Sequence, residues 1–152
     1  MRALFSALAI ALLARHATVF APRPLAPPAP VVPVVAPEEG SFLFDVLREL
    51  PYRLAWDKLM KEVQPTPDWL LQFNKNYDGV TGGFRAIDIG GKPYRLSFVC
   101  KPENCGDRKF EVMFDIGAIR AYGALGGRTD PPAFYGAPPQ DVQDALAKGF
   151  GG

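Results

Sequence analysis

The sequence predicts an α+β domain, an antiparallel β-sheet of about four to five strands flanked by helices, with a disulfide-closed protruding loop. Three observations predict it. Apolar residues recur at helical spacing between Pro51 and Phe73 and again between Pro138 and Lys148. Between those segments, from Phe84 to Leu125, apolar and polar residues alternate in short runs. The chain's two cysteines, Cys100 and Cys105, lie between two of those runs.

The first residues read as an export signal. Arg2 precedes an apolar run, Ala3 to Ala14, interrupted only by Ser6. That run is short of the roughly 20 residues that cross a bilayer and matches the apolar part of a signal peptide. Residues 1–21 are assigned to it, with Val19-Phe20-Ala21 as the small-residue pattern and a boundary between Ala14 and Ala21; an uncleaved membrane anchor is the alternative. Prolines recur every few residues from Pro22 to Pro37. Proline fixes φ and disfavours helix in the residue before it, so residues 22–40 read as an extended linker. Residues 41–152 form the domain, about 110 residues, enough for one modest core that gains from a covalent staple.

Within it, Tyr52, Ala55, Trp56, Leu59 and Val63 give an amphipathic helix from Pro51 to Glu62. Thr66-Pro67-Asp68 reads as a second helix start, with a capping hydroxyl and proline at the first helical position. The aromatics it leads into, Trp69 and Phe73, read as core. Phe84 to Ile89 and Tyr94 to Val99 flank Gly90-Gly91, a hairpin signal because glycine accepts the positive φ of tight hairpin turns. Phe110, Val112 and Phe114 alternate with Lys109, Glu111 and Met113 as a third strand, and Ile119 to Leu125 gives a fourth. A last helix runs from Pro138 to Lys148, stopped by Gly149.

Composition excludes several functions. Net charge is +1, and removing Arg2 and Arg15 leaves 15 basic against 16 acidic residues from Pro22 onward. No basic stripe is present, so nucleic acid is not an expected partner. The one histidine, His16, lies in the leader. The domain therefore has no imidazole for nucleophile activation or metal binding. Asp88, Glu103, Asp107 and Asp115 are scattered carboxylates, and Gly79, Gly82 and Gly83 match no nucleotide loop. The reading is a non-enzyme without metal or cofactor.

What remains distinctive is Cys100-Lys101-Pro102-Glu103-Asn104-Cys105-Gly106. In an exported chain these two cysteines are expected to oxidise. A zinc site needs more ligands, and a thioredoxin-type pair has two intervening residues rather than four. Closing so small a ring stabilises the fold by roughly 2 kcal/mol. Its local effect is larger, because a pre-shaped tip loses little entropy on binding. The residues alone allow either a stiff binding tip or a staple for a long turn.

This segment, with Lys92-Pro93-Tyr94 before it, Thr66-Pro67-Asp68-Trp69 upstream and Val112-Met113-Phe114 downstream, resembles the inhibitor of vertebrate lysozyme family. The likeness covers most of residues 52–150. It implies a periplasmic protein, often a homodimer, whose disulfide-closed loop plugs the active-site cleft of c-type lysozymes. On that resemblance Lys101, Pro102, Glu103 and Asn104 contact the target and Cys100 and Cys105 form the bridge. The partner it implies is a lysozyme, of the c-type or another class, or a lytic transglycosylase. The family's loop usually presents a histidine to the target's two catalytic carboxylates, and the matching residue here is Glu103. Two like charges about 4 Å apart interact by roughly 4 kcal/mol at an effective dielectric near 20, about a thousandfold in affinity. A basic c-type lysozyme also favours an acidic inhibitor, whereas this domain is near neutral. The second reading is therefore a periplasmic binding module for a different protein target.

Overall fold

The computed structural model of the chain describes residues 35–116 and 119–151. The expected signal peptide and most of the proline-rich linker lie outside them. In chain order the elements are α1 (Leu43–Val46), α2 (Leu50–Met60), α3 (Asp68–Asn76), β1 (Val80–Thr81), β2 (Arg85–Ile89), β3 (Lys92–Cys100), β4 (Lys109–Asp115), β5 (Arg120–Gly126), β6 (Ala133–Tyr135) and α4 (Gln140–Ala147). A 3-10 turn, Lys148–Phe150, follows α4.

Gly90 and Gly91 sit at φ 60° and 80°, the left-handed pair a tight hairpin turn demands. The Asp88 carboxylate accepts the Gly91 amide at 2.9 Å. Ile89 therefore faces Lys92, and the β2–β3 register follows to Arg85 opposite Leu96. Every pairing in the sheet is antiparallel, in the order β1-β3-β4-β5-β6. Because β4 occupies one edge of β3 from Tyr94 to Cys100, β1 and β2 share the other, one beyond the other. The sheet thus has six strands, the four read from the alternating pattern and the short β1 and β6 in addition.

Both faces are covered, which splits the core in two. Val99, Phe110, Val112, Phe114 and Ala121 meet α1, α2 and α3 on one face. Tyr94, Leu96, Met113, Tyr122 and Ala124 meet Val142, Leu146 and Phe150 on the other. The first face is aromatic at its centre. Trp56 stands edge-on to Phe110 at 5.7 Å and to Phe73 at 5.8 Å, and Tyr52 stands edge-on to Phe114 at 5.4 Å. Such pairs add about 0.5–1.5 kcal/mol each beyond area burial. The Trp56 indole N–H donates to Asn74 Oδ1 at 2.6 Å, so the buried indole is satisfied and α2 is locked to α3. Gly123 leaves the space that the Phe110 ring fills; a Cβ there would collide with that ring.

Helix ends differ in detail from the sequence expectation. Thr66 does not cap α3. Its hydroxyl donates back to the Val63 carbonyl, and Pro67 occupies the N-cap position without a side-chain bond. A threonine hydroxyl takes whichever backbone partner is nearest, and after α2 that partner is a carbonyl. At the other end Gly149 does not stop the chain. The 3-10 turn carries it on, and Phe150 enters the second core at 8% exposure. Upstream, residues 35–40 are held to the domain. The Tyr52 hydroxyl donates to the Val35 carbonyl at 2.7 Å, and Arg95 Nε donates to the Pro37 carbonyl at 2.9 Å.

A carboxyl group lies inside the second core. Glu111 is 1% exposed. Its Oε1 is 3.4 Å from Lys109 Nζ, and its Oε2 has no hydrogen-bond partner among the described residues. Burial pushes its pKa above the ordinary value, against the pull of the Lys109 ammonium and, less, of Arg85. A carboxyl with a raised folded pKa holds its proton more tightly when folded. Its contribution is complete below the ordinary glutamate pKa and is lost as pH rises through the raised value. Glu111→Gln is neutral throughout. The difference in melting temperature between Glu111→Gln and the wild type is expected to move in the variant's favour as the pH rises from about 4 to about 7; thermal melts of both proteins at the two pH values check this.

Candidate functional site

Cys100 ends β3 opposite Lys109, which begins β4, so residues 101–108 are the connection. The cysteines are joined, with Cα atoms 4.9 Å apart. Inside the ring the Asn104 amide donates to the Lys101 carbonyl at 3.0 Å. That closes a four-residue turn with Pro102 second and Glu103 third, at φ 63°. Proline followed by a left-handed residue is the pattern of a type II turn. The Asn104 carbonyl accepts the Asp107 and Arg108 amides at 3.3 and 3.0 Å, and the Lys101 amide closes the base on the Arg108 carbonyl at 2.9 Å.

The stem is braced from β5's end. The Arg128 amide donates to the Gly106 carbonyl at 2.9 Å. A Cβ on Gly106 would collide with the Arg128 guanidinium, and one on Gly127 with the Asp107 carbonyl. Burial grades along the loop. Cys100 is 1% exposed, Asn104 and Cys105 are half-buried, and Lys101, Pro102 and Glu103 are exposed. Among the described residues the Glu103 carboxylate has no hydrogen-bond or ion-pair partner. The tip is a stiff turn that offers a cation, a proline ring and an uncommitted carboxylate.

Trp69 belongs to this region. Read from the sequence as core, it packs against the first core while remaining half-buried. It separates two clefts at the foot of the loop, both also bordered by Lys101. One, about 300 Å³, is lined by Phe73, Val99 and Pro102. The other, about 290 Å³, is lined by Pro67, Arg108 and Asp130. The phase of α3 explains the position. Leu70 and Phe73 are the inward residues, and Trp69 is rotated one residue, about 100°, away from Leu70. Its indole N–H is buried without an acceptor among the described residues. The Leu70–Phe73 spacing was the available signal for this flank position.

The scattered carboxylates do not converge. Asp88 and Asp115 lie opposite Pro93 and Tyr94 at the hairpin end of the sheet. Glu103 and Asp107 lie in the loop at the far end of β3. No group of three His, Cys, Asp or Glu side chains among the described residues could hold a metal ion.

Fold and loop together define a scaffold protein: a sheet covered on both faces that carries one covalently closed, solvent-facing turn. The family model described as inhibitor of vertebrate lysozyme (Ivy) matches residues 51–152, and the chain belongs to that family. It is 27% identical over 124 residues to a Pseudomonas aeruginosa protein named inhibitor of vertebrate lysozyme, covering 73% of this chain and 78% of that protein. An uncharacterised protein of the same organism is 28% identical over 92 residues, covering 59% of this chain and 57% of its own length. A Yersinia pestis protein, also uncharacterised, is 24% identical over 88 residues, covering 58% and 54%. The chain thus spans a little over half the length of the latter two.

The backbone at Glu103 makes a prediction of its own. A non-glycine residue in the left-handed region costs roughly 1–2 kcal/mol, partly offset in glycine by its greater freedom when unfolded. Glu103→Gly is expected to raise stability by up to about 1 kcal/mol in urea unfolding of the oxidised protein.

Proposed function

We propose that this protein is exported to the periplasm and inhibits a peptidoglycan-cleaving glycosidase of the lysozyme class by seating the Cys100–Cys105 loop in its active-site cleft. Residues 1–21 are the signal peptide and 22–40 the linker in this reading, and the protein itself is not an enzyme. The observation that carries it is the exposed, covalently closed turn Lys101–Glu103 on a domain of this family. The inhibitor name of the Pseudomonas aeruginosa relative supports it. A turn held by a disulfide, a proline and four backbone hydrogen bonds loses little freedom when it docks. Lys101, Pro102, Glu103 and Asn104 are the contacting residues: the first three present side chains, and the fourth organises the turn through its backbone.

The identity of the tip decides which enzyme is blocked. A lysozyme works with one protonated and one ionised carboxyl group. A histidine can donate to both, whereas the Glu103 carboxylate brings a third anion. Lys101 beside it offsets part of the repulsion. A second reading, a periplasmic module for a different protein target, is favoured by that same carboxylate, which suits a partner presenting a cation at the matching point.

Calorimetric titration against a vertebrate c-type lysozyme separates the two. Wild type is expected to bind weakly, above nanomolar dissociation constants. Glu103→His is expected to bind tighter by on the order of a hundredfold to a thousandfold. The left-handed backbone favours the exchange, since histidine is enriched there. Nanomolar binding by the wild type, weakened by the histidine, would refute the electrostatic argument. Absence of binding by both variants, alongside wild-type inhibition of another muramidase or a transglycosylase, keeps the inhibitor reading with a different enzyme; capture from periplasmic extract of a protein that is no glycosidase, lost when the loop alone is altered, supports the second reading.

A further inference from the structure

Lys109 holds the last paired position before the loop, opposite Cys100 on one side and Gly126 on the other. A lysine at the end of a strand ordinarily carries its ammonium out to water. This one turns inward, on the face covered by α4, and its side chain is 19% exposed. Nζ donates to the Gly149 carbonyl at 2.6 Å and stands 3.4 Å from Glu111 Oε1. It also lies over the rings of Phe98 and Phe150, at 5.2 and 5.8 Å from their centroids. The 3-10 turn reaches this site because residue 149 has no side chain. A Cβ there would collide with the Glu111 carboxylate.

The disulfide leaves part of the loop outside its ring. Residues 106–108 lie between Cys105 and β4, and their carbonyls and amides close the loop's base. The first stem is secured by Cys100, buried and paired with Val80 of β1. The second depends on the Arg128–Gly106 bond and on whatever fixes Lys109. We propose that Lys109 is a positioning residue. Bonded to Gly149, it ties the C-terminal turn to the loop's second stem, and Glu111 aims its ammonium. A charge-assisted bond in a low-dielectric setting is stronger than the same bond in water, and the two ring faces add cation–π attraction. The C-terminal turn thereby stiffens the loop through Lys109. This goes beyond the proposed function and stands whatever the loop's partner is.

Backbone hydrogen exchange on the full-length oxidised protein tests it without any partner. Gly149→Ala pushes the turn off the Glu111 carboxylate. Lys109→Met combined with Glu111→Met removes both charges together, leaving neither buried alone, and provides an independent route should the first variant fold poorly. In each, the Asn104, Arg108 and Arg128 amides are expected to exchange about tenfold faster, while the hairpin strand Arg85–Ile89 keeps its wild-type protection. Lys109→Arg, which preserves the cation and a donor, is expected to restore loop protection toward the wild type. Loop amides at wild-type rates in both disrupted variants, or acceleration of the hairpin equal to that of the loop, would overturn the proposal.

Discussion

The constraint on which the rest depends is the register of β3 against β4, seven facing pairs from Tyr94↔Asp115 to Cys100↔Lys109. These strands are covered on both faces, so each residue is committed to one core or the other. A slip of one residue would exchange the faces. Phe110, Val112 and Phe114 would leave the helices α1–α3, and Glu111 would enter the aromatic cluster around Trp56. The cost of either move fixes the register. The register in turn sets Cys100 beside Lys109 and leaves eight residues to turn between them. A loop short enough for a bridge across five positions is a consequence of the ladder, and the disulfide then stiffens what the ladder has placed.

Features governed by local chemistry could be read from the residues. Gly90-Gly91 needs only its own φ values to turn the chain, and α2 falls within two residues of the range its apolar spacing predicts. Elements made by distant partners could not. β1 is two residues long and exists because Cys100 and Val99 face it. β6 is three residues behind Pro131-Pro132 and exists because Gly123 to Leu125 accept it. The loop shows the same division. Two cysteines in a chain read as exported announce a bridge, but nothing in a glutamate announces a left-handed backbone, and the conformation of Glu103 comes from the ring around it. Trp69 packs against the core as its apolar character indicates, and the phase of α3 leaves it at the core's edge rather than at its centre.

Scaffold and tip are chemically separable. The Glu103 carboxylate touches nothing that holds the fold among the described residues, and its backbone conformation suits glycine, asparagine or histidine better. Folding therefore gives no reason for a glutamate at this position. Its chemistry is available to a partner, and changing it alters what the tip can meet without disturbing the sheet beneath. This separation lets family membership rest on the scaffold while the choice of target rests on one exposed side chain.

The buried pair beneath the loop follows the opposite logic. Glu111 and Lys109 sit where apolar side chains of similar volume would be at least as stabilising, since desolvating two charges can cost more than their attraction returns. Burial outweighs attraction at Glu111, whose proton is held more tightly than in water. Stability is thus a poor account of the pair. Placement is a better one. An apolar side chain can fill this space, but it cannot accept and donate in fixed directions, and the turn at Gly149 is seated by a directional bond to a specific carbonyl. A nonpolar contact would let the last turn slide along the sheet. A lysine held between a carboxylate, a carbonyl and two rings lets it rest in one place, directly under the strand that leads out of the loop.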